Sequence, residues 1–391
     1  MNLIVVPFHD WRKIIMEGSR TRDAHFIEAL KKRESITQII INRPTTFLEI
    51  LLKRKFNLIK GEVIYRKGGF RLYKIEPNLY LIDYVSAHIF SQIMNGHTWF
   101  LSHYAHPKYI SFIEDCLEKL EVHDNYYLLN QNIFGSELTK NLSPVTSIFD
   151  AWDDFTKFKV YEKYLDAILR AYKNYAHFCD FWITNSTDNV KYFSNEFHPN
   201  EMHLITNAVE LERFISKKNF VVPDDIKNIS RPIAGFGGKI THLIDVDLLN
   251  QTLKKAPEIS FVFVGQILDK NIFNAIDKLE NFHYLGDKHY DDYPNYVKSF
   301  DICIVPYVVD EAKKSGANSI KAYEYLATGK KVVGTNSNGL ENLSEYLYIV
   351  HNADEFSKEV SEPTNLKPQV SLEKHSWDSK ISQLINLIER V

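Results

Sequence analysis

The stretch Asn318-Ser-Ile-Lys-Ala-Tyr-Glu-Tyr-Leu-Ala-Thr-Gly-Lys-Lys-Val-Val333 decides the fold of the second half of the chain. An apolar run, 301–307, precedes it and a second apolar run, 331–335, closes it, and both are typical of strands buried on both faces of a sheet. The residues between them predict a short helix, with Ser319 as its N-cap and Gly329 at its left-handed end. Strand, helix and strand in this order predict a βαβ unit with parallel strands.

This unit also predicts where a ligand binds. The loop 313–318 lies beyond the carboxyl end of the first strand, where open α/β sheets bind ligands, and the start of the next helix presents backbone N–H groups to an anion. Lys321 and Glu324 are three residues apart and share one helix face. Lys321 can therefore contact a phosphate, and Glu324 can accept hydrogen bonds from a ribose diol. A solvated ion pair between the two side chains is the alternative.

The stretch resembles the donor-site motif of GT-B nucleotide-sugar glycosyltransferases, which is roughly Asn-Pro-x-Lys-x-x-Glu-Tyr-Leu-Ala-x-Gly-x-Pro-Val-Val. Ser319 and Lys331 replace the two prolines, and Gly316 stands where many retaining relatives carry a second glutamate. The resemblance leaves open an inverting transferase, a retaining transferase that keeps only the first glutamate, and a non-catalytic subunit that binds a nucleotide sugar. It implies that four residues of the motif bind the donor: Asn318, Ser319, Lys321 and Glu324.

A glycine-rich loop, Pro232-Ile-Ala-Gly-Phe-Gly-Gly-Lys239, opens the predicted second domain. It is not a P-loop, because the Gly-Lys-Ser/Thr ending is missing, and Ile240 stands where the dinucleotide fingerprint has its last glycine. A glycine loop between a strand and a helix lets the backbone approach a diphosphate. At this position it resembles the first-strand loop of GT-B donor domains, which implies donor contacts from Gly238, Lys239 and, after the next strand, Gln266.

The opening of the chain resembles the glucuronosyltransferase of xanthan assembly, also a GT-B enzyme. A strand at 3–7 leads into a His-Asp-aromatic-Arg loop, then two nearby arginines, and then a His-Phe pair on a helix predicted at 23–33. In such enzymes this loop lies on the acceptor side of the cleft. Two structural roles are the alternatives to acceptor binding. The aspartate could only cap a helix, and a histidine could be buried and hydrogen-bonded. The resemblance gives five acceptor-side candidates: His9, Asp10, Arg20, Arg22 and His25.

A second resemblance to the xanthan enzyme concerns the base of the reaction. Residues 145–150 predict a strand and residues 158–176 a helix, and the loop between them contains Asp153 and Asp154. In the xanthan enzyme a strand, Ala-x-Asp and a helix carry the catalytic base, and the register places Asp153 on that aspartate. Asp150 matches an aspartate of teichuronic-acid-type transferases. Asp153 or Asp154 could instead only cap the start of the helix.

The charge is unevenly distributed along the chain. The net charge of −3 over 391 residues argues against a general nucleic-acid binder. Residues 1–85 nevertheless hold 16 Lys and Arg against 9 Asp and Glu, a net charge of +7. Within them, residues 44–60 predict a basic amphipathic helix. These features predict reversible contact with an anionic membrane surface, with an ordinary solvated surface as the alternative.

The cysteines and the first residues indicate the compartment. Cys116, Cys179 and Cys303 are odd in number and widely spaced, so they predict neither a disulfide framework nor a metal cluster. The apolar start, 1–8, is too short for a signal sequence or a membrane span. We therefore expect a cytoplasmic protein, peripheral on the inner face of the membrane, without a metal cofactor.

The resemblance as a whole implies an α/β protein of the GT-B fold, with two Rossmann-like domains facing a cleft. Short strands at 62–84 and 99–102 are predicted within the first domain. The implied activity is metal-independent hexosyl or glucuronosyl transfer from a UDP-sugar, by default, to a carbohydrate or lipid-linked saccharide in bacterial surface polysaccharide assembly. The predicted organisation is an acceptor domain at 1–214, a linker at 215–230, a donor domain at 231–375 and a helix at 376–391 that crosses back to the first domain.

Overall fold

The structure is a computed structural model, and it falls into two compact units. It describes residues 1–215, 220–309, 318–337, 339–364, 366–367 and 371–390. The first unit contains Met1–Ile205 and Ile381–Val391, and the second contains Thr206–Lys380. Each unit has its own sheet and its own buried core.

The first unit is built on a mixed sheet with the order β10-β9-β8-β7-β1-β2-β6-β5-β4, and β3 pairs with β6. Its described strands are β1 (Asn2–Val6), β2 (Thr37–Ile41), β3 (Thr45–Thr46), β4 (Glu62–Lys67), β5 (Phe70–Glu76), β6 (Leu79–Ser86), β7 (Tyr127–Asn130), β8 (Thr146–Asp150), β9 (Phe181–Thr184) and β10 (Met202–Leu204). The β4–β5 and β5–β6 pairs are antiparallel, as expected for hairpins, and the other pairs are parallel. The carboxyl ends of β1, β7 and β8 therefore lie at one edge of the sheet.

Helices cover this sheet with aromatic side chains. The described helices of the unit are α1 (Trp11–Glu17), α2 (Arg22–Lys31), α3 (Phe47–Leu52), α4 (Ile89–Asn95), α5 (Thr98–Tyr104), α6 (Pro107–Lys119), α7 (Ser136–Asn141), α8 (Leu165–Phe178) and α9 (Thr187–Phe197). In α6, Tyr109, Phe112 and Cys116 recur at helical spacing and are buried in the core. Burial of such a stripe, rather than helix propensity alone, stabilises helices of this length.

Two predicted elements of the first unit are wrong. Residues 99–102 belong to α5 and not to a strand, because the contacts here have helical spacing: Phe100 and Tyr104 are both buried, and Trp99 stacks on His103. The helix predicted over 44–60 covers only Phe47–Leu52. It ends because Arg54 has a φ of 51° and Lys55 turns into the interior.

The second unit has a parallel sheet with the strand order of a Rossmann fold, β13-β12-β11-β14-β15-β16. Its strands are β11 (Ile233–Gly237), β12 (Ser260–Val264), β13 (Phe282–Tyr284), β14 (Ile302–Val305), β15 (Lys331–Thr335) and β16 (Tyr348–Val350). Its described helices are α10 (Leu211–Ile215), α11 (Val246–Lys255), α12 (Lys270–Ala275), α13 (Tyr293–Ser299), α14 (Ile320–Ala327), α15 (Ala353–Ser361) and the first turn of α16 (Trp377–Ile388). The predicted parallel pairing of β14 and β15 is present, with Cys303 opposite Val332.

The division between the units falls earlier than the predicted boundary at 214. Residues 206–214 lie in the second unit because Val209 and Phe214 are buried in its core. From Ile381 onwards α16 belongs to the first unit, where the Oγ of Ser382 accepts a hydrogen bond from Arg33 Nη2 at 2.7 Å. Part of the predicted linker, 216–219, lies outside the described residues.

A network of buried polar side chains joins the loops after β1 and β2 to β6. Arg12 donates two hydrogen bonds to Asp83, at 3.0 and 2.6 Å, and Lys55 Nζ donates to Asp10 at 2.8 Å. Asn42 Nδ2 lies within hydrogen-bond distance of both carboxylates, 3.1 Å from Asp10 and 2.8 Å from Asp83. Burial alone raises the pKa of Asp10, but the cations around it lower this pKa below its usual range. The network therefore keeps the Asp10 carboxylate charged inside the protein.

We predict that Asp83→Asn lowers the free energy of unfolding by about 3–5 kcal/mol, because Arg12 loses its main buried partner and keeps only a 3.3 Å contact with Asp10, which Lys55 already pairs. Asp115→Asn is the matched control, since Asp115 pairs with Lys67 on the surface at 3.3 Å. This control should cost less than about 1 kcal/mol. Urea unfolding followed by circular dichroism measures both, and equally small losses would contradict a stabilising role for the network.

Candidate functional site

In the second unit, the loops after β11 and β12 lie in direct backbone contact. The N–H of Gly238 donates to the carbonyl of Val264 at 2.8 Å. A Cβ on Gly265 would lie 2.0 Å from the Gly238 carbonyl oxygen, and both glycines have positive φ, 151° at Gly238 and 143° at Gly265. Only glycine fits these two positions without strain. The loop therefore presents backbone, without side chains, at the carboxyl end of β11.

Two tyrosines hold the preceding glycine in place. The Gly237 N–H donates to the Tyr325 hydroxyl at 2.7 Å, and a Cβ on Gly237 would lie 2.3 Å from the ring of Tyr293. Tyr325 follows directly after Glu324 in the stretch that predicted the site. Its hydroxyl thus connects α14 to the glycine loop, a function that the sequence alone did not reveal.

Lys321 lies in the first turn of α14, against the glycine loop. Its Nζ contacts the hydroxyl of Tyr307 and lies 4.8 Å and 4.7 Å from the ring centres of Phe236 and Tyr307. A Cβ on Gly238 would lie 2.6 Å from the same Nζ. The two aromatic faces stabilise the ammonium group through cation–π interaction. This arrangement brings a positive charge to the exposed backbone of the loop.

Glu324 is buried one turn further along α14, with 3% of its surface exposed. The hydroxyl of Tyr290 donates to its Oε1 at 2.7 Å. Among the described residues, no salt bridge joins Glu324 to Lys321, so the predicted alternative of a solvated ion pair does not form. Burial raises the pKa of Glu324 to about 7, although the Tyr290 hydrogen bond and the charge of Lys321 act in the opposite direction.

Asn318 and Ser319 stand at the start of α14. Asn318 Oδ1 accepts from the N–H of Asn207 at 2.7 Å, and its backbone carbonyl accepts from the Asn207 Nδ2 at 2.7 Å. Asn318 therefore fixes the 206–209 segment to the helix. Ser319 occupies the predicted N-cap position, but its side chain makes no capping hydrogen bond. Residues 313–317 of the predicted loop, Gly316 among them, lie outside the described residues.

The other donor candidates flank the glycine loop. Lys239 is half-buried and follows Gly238 directly. Gln266 is half-buried after β12, and its backbone carbonyl accepts from the N–H of Ile240 at 2.9 Å. Both residues therefore lie at the carboxyl edge of the sheet, beside the backbone that the two glycines leave open.

In the first unit, the five acceptor-side candidates differ in burial. Asp10, Arg22 and His25 are buried, whereas His9 and Arg20 are half-buried. Asp10 accepts from the N–H of Arg12 at 3.2 Å and caps α1, which is the structural alternative stated above. Arg22 Nε donates to Asp150 at 2.8 Å. The described contacts of Asp10 and Arg22 therefore hold this edge of the sheet together.

His9 pairs with a carboxylate that the sequence did not assign to the site. The His9 N–H donates to Asp23 Oδ2 at 2.8 Å, and the ring Nδ1 lies 3.0 Å from both Asp23 oxygens. The Thr21 hydroxyl donates to the same carboxylate at 2.6 Å. Despite burial, the pKa of Asp23 lies well below its usual range because of His9 and these hydrogen bonds. An Nδ1–H bonded to Asp23 leaves Nε2 as the basic nitrogen.

The three aspartates at and after β8 have different environments. Asp150 is fully buried and also accepts from Gln131 Nε2 at 2.9 Å. Asp154 is buried, accepts from the Thr156 N–H at 3.0 Å, and has its pKa raised by burial. Asp153 is half-buried, and its backbone carbonyl accepts from a tyrosine hydroxyl of α8 at 2.9 Å. Asp153 thus has the most accessible side chain of the three, on a loop that α8 holds in place.

The part of the chain that the structure describes contains no group of three or more His, Cys, Asp or Glu side chains arranged to hold a metal ion. The independence of the reaction from metal stays a prediction.

Comparison with known proteins supports the resemblance found in the sequence. Residues 232–363 match the family described as Glycosyl transferases group 1. A Bacillus subtilis protein named as the teichuronic acid biosynthesis glycosyltransferase TuaH is 29% identical over 142 residues, which cover 35% of this chain and 34% of TuaH. The chain thus matches about a third of the length of this curated relative.

Solved structures show the fold. Trehalose-6-phosphate synthase OtsA superimposes with a TM-score of 0.68 at 10% identity, covering 100% of this chain and 99% of OtsA. Anabaena HepE, solved in complex with UDP and glucose, has a TM-score of 0.61 at 12% identity and covers 100% of both chains. The predicted GT-B fold is confirmed by these similarities.

We predict that Lys321→Ala weakens UDP binding by roughly 1.5–3 kcal/mol, the range for hydrogen bonds to charged groups. The reason is the position of the ammonium group against the Gly238 loop. Lys254→Ala is the control, because Lys254 is an exposed lysine of the same unit that pairs with Asp277. Calorimetric titration with UDP measures both variants, and unchanged affinity of Lys321→Ala would remove this lysine from the donor site.

We predict that UDP affinity rises roughly fivefold to tenfold between pH 6 and pH 8, because the ribose diol requires the ionised form of a glutamate whose pKa is about 7. The folding stability of the free protein depends on pH in the opposite direction. The folded chain binds more protons than the unfolded chain between about pH 4.3 and pH 7, so the stability contribution of Glu324 falls as pH rises.

Glu324→Gln should weaken UDP binding, remove this pH dependence, and leave pyrophosphate binding nearly unchanged. Its melting temperature at pH 8 should equal or exceed that of the wild type. Calorimetry at both pH values, with both ligands, tests these expectations. Equal losses for UDP and pyrophosphate, together with a lowered melting temperature, would indicate a folding defect instead of lost ribose contacts.

Proposed function

We propose that this chain is a glycosyltransferase that moves a sugar from a nucleotide sugar to a carbohydrate or lipid-linked saccharide in bacterial surface polysaccharide assembly. The observation that carries the proposal is the Lys321 ammonium against the Gly238 loop, with Glu324 buried one helical turn further on. This arrangement lies within the segment that matches the group 1 family. The name of TuaH supports a role in polysaccharide assembly, and the UDP bound to HepE supports a UDP-linked donor.

In the proposed donor complex, the diphosphate lies at the Gly238 backbone and the start of α14. Lys321 and the N–H groups of this helix end neutralise the charge that develops on the leaving diphosphate, which is the usual way to accelerate such a step without a metal. Glu324 accepts hydrogen bonds from the ribose hydroxyls. Lys239 and Gln266, at the edge of the same loops, contact the phosphates and the base, while Asn318 and Ser319 provide the helix start.

For the reaction we propose an inverting displacement with Asp153 as the general base. Asp153 takes the proton of the acceptor hydroxyl, the hydroxyl oxygen attacks the anomeric carbon, and the bond from that carbon to the diphosphate oxygen breaks. Its half-buried position on a fixed loop supports Asp153 over the interior residues Asp150 and Asp154. His9 and Arg20 are the half-buried acceptor-side candidates.

Two alternative functions, a retaining transferase and a non-catalytic subunit, can be distinguished from this one by experiment. A retaining transferase would use Glu324 without a second glutamate, and the anomeric configuration of the product, read by NMR, distinguishes it. A non-catalytic subunit would bind the nucleotide sugar and support another transferase. Transfer or donor hydrolysis by the purified chain alone excludes that possibility.

We also propose a cytoplasmic location with peripheral contact to the inner face of the membrane. Across the described residues, no helix combines the length and the apolar composition that crossing a bilayer requires. A lipid-linked acceptor would bring the protein to the membrane surface, and the net charge of +7 in residues 1–85 would favour anionic lipid.

We predict that Asp153→Asn lowers turnover by about 10²–10⁴ while donor affinity and melting temperature stay near those of the wild type, because only the basicity is lost. Turnover is measured at saturating donor and acceptor. Asp154→Asn is the neighbouring control and should retain most of the turnover. Asp150→Asn should mainly lower stability, because Arg22 then loses its buried partner.

Near-wild-type turnover of Asp153→Asn would remove Asp153 from the mechanism. The base to test next would then be His9, since a carboxylate that orients an imidazole is a common arrangement for a general base. A large loss accompanied by a collapsed melting temperature would show that Asp153 is needed for folding instead.

A further inference from the structure

The first unit exposes a concentrated set of large apolar side chains on two short helices. On α4, Phe90, Ile93 and Met94 are 69%, 68% and 84% exposed, and their spacing places them on one helix face. On α3, Leu52 is 72% exposed, and Phe47 and Leu51 are exposed as well. These six side chains form what we name the α3–α4 apolar surface. Single exposed apolar residues are ordinary, but such a concentration marks an interaction surface.

Hydrogen bonds hold the two helices next to each other. The Thr46 hydroxyl donates to Gln92 Oε1 at 3.0 Å, and Gln92 Nε2 donates to Glu49 at 3.3 Å. Arg43 and Lys53 bind the same Glu49 carboxylate, at 2.9 and 3.0 Å. The exposed side chains of α3 and α4 therefore belong to one region of the surface, and its nearby carboxylate is buried and neutralised.

The chain segments at this surface are rich in basic residues. The sequence has no Asp or Glu at 50–61, which ends and follows α3, or at 84–113, which contains and follows α4. Lys53, Arg54 and Lys60 are exposed within the first of them.

Burial makes the surface formed by residues 1–85 slightly more positive than their sequence alone. Within residues 1–85, burial removes Asp10, Asp23, Glu49 and Asp83 from the surface but only three basic residues, Arg12, Arg22 and Lys55. Thirteen of the 16 basic and five of the 9 acidic residues are then left outside the core, a net charge of +8.

We infer that the α3–α4 apolar surface binds an anionic lipid bilayer, with its apolar side chains in the interface and Lys53, Arg54 and Lys60 at the level of the headgroups. Exposed apolar side chains with basic residues and no carboxylate in the same segments, 50–61 and 84–113, are a combination that favours interfacial binding. This inference rests on the membrane contact proposed above and names the surface that makes it.

The test is co-sedimentation of the full chain with vesicles of phosphatidylcholine alone or with a third of phosphatidylglycerol, at low salt. The wild type should bind the anionic vesicles, and added salt should release it, since exposed charges are screened over about 10 Å at 0.1 M. The double variant Phe90→Ser, Met94→Ser should bind about tenfold or more weakly, because two large side chains leave the interface. Arg54→Gln with Lys60→Gln should weaken binding and reduce its dependence on salt, since both side chains are exposed and neither is part of the Glu49 contacts.

Leu268→Ser is the matched control, since Leu268 is an exposed leucine of the second unit, and this variant should bind like the wild type. Met94→Trp adds a local readout, a blue shift of its fluorescence on addition of anionic vesicles. None of the substituted residues lies in the donor site, so UDP affinity should stay unchanged in every variant.

Three results would overturn the inference: no binding to anionic vesicles at low salt, binding that is insensitive to the Phe90 and Met94 substitutions, or self-association through this surface in place of vesicle binding. Sugar transfer to a soluble acceptor is measured separately. Transfer without vesicle binding would refute only this inference, and vesicle binding without transfer would refute only the proposed reaction.

Discussion

The candidate donor site depends on the absence of a side chain at Gly238. The Lys321 ammonium occupies the space that a Cβ would take, and the neighbouring loop with Gly265 packs against the carbonyl of the same residue. Phe236 and Tyr307 then hold the ammonium from the other side. A positive charge is therefore fixed beside open backbone, so the proposed diphosphate donor would require little reorganisation of the site.

Buried carboxylates have different partners in the two units. In the first unit, Arg12 and Lys55 neutralise Asp83 and Asp10, and the network stabilises the loops that it joins. In the second unit, Glu324 is equally buried but accepts its hydrogen bond from an uncharged tyrosine, and its pKa rises to about 7. Burying an acid without a cation costs stability at neutral pH. Ribose hydroxyls of the proposed donor, by donating to this carboxylate, would recover part of that cost.

The sequence predicted the parts of the molecule that depend on local pattern. The βαβ unit around α14 and the placement of Lys321 in its first turn follow from apolar runs, a serine at the N-cap position and helical spacing. The contacts of His9 with Asp23 and of Asn207 with Asn318 could not be predicted, because nothing local indicates which distant polar groups will meet. The prediction of a strand at 99–102 was wrong for a different reason. A short aromatic run suits either a strand or a helix, and only its packing against the core decides.

Burial in the first unit connects its interior to its surface. Four carboxylates of residues 1–85 are buried, and three of them, Asp10, Glu49 and Asp83, bind the cations that hold the loops after β1 and β2. Because four carboxylates but only three cations of this region are buried, its exposed part carries one more net positive charge than its composition gives. Glu49 shows the connection most directly, because the same carboxylate accepts from Arg43 and Lys53 and, through Gln92, keeps α3 beside α4. One buried acid therefore both orders the segment after β2 and holds together the two helices of the α3–α4 apolar surface.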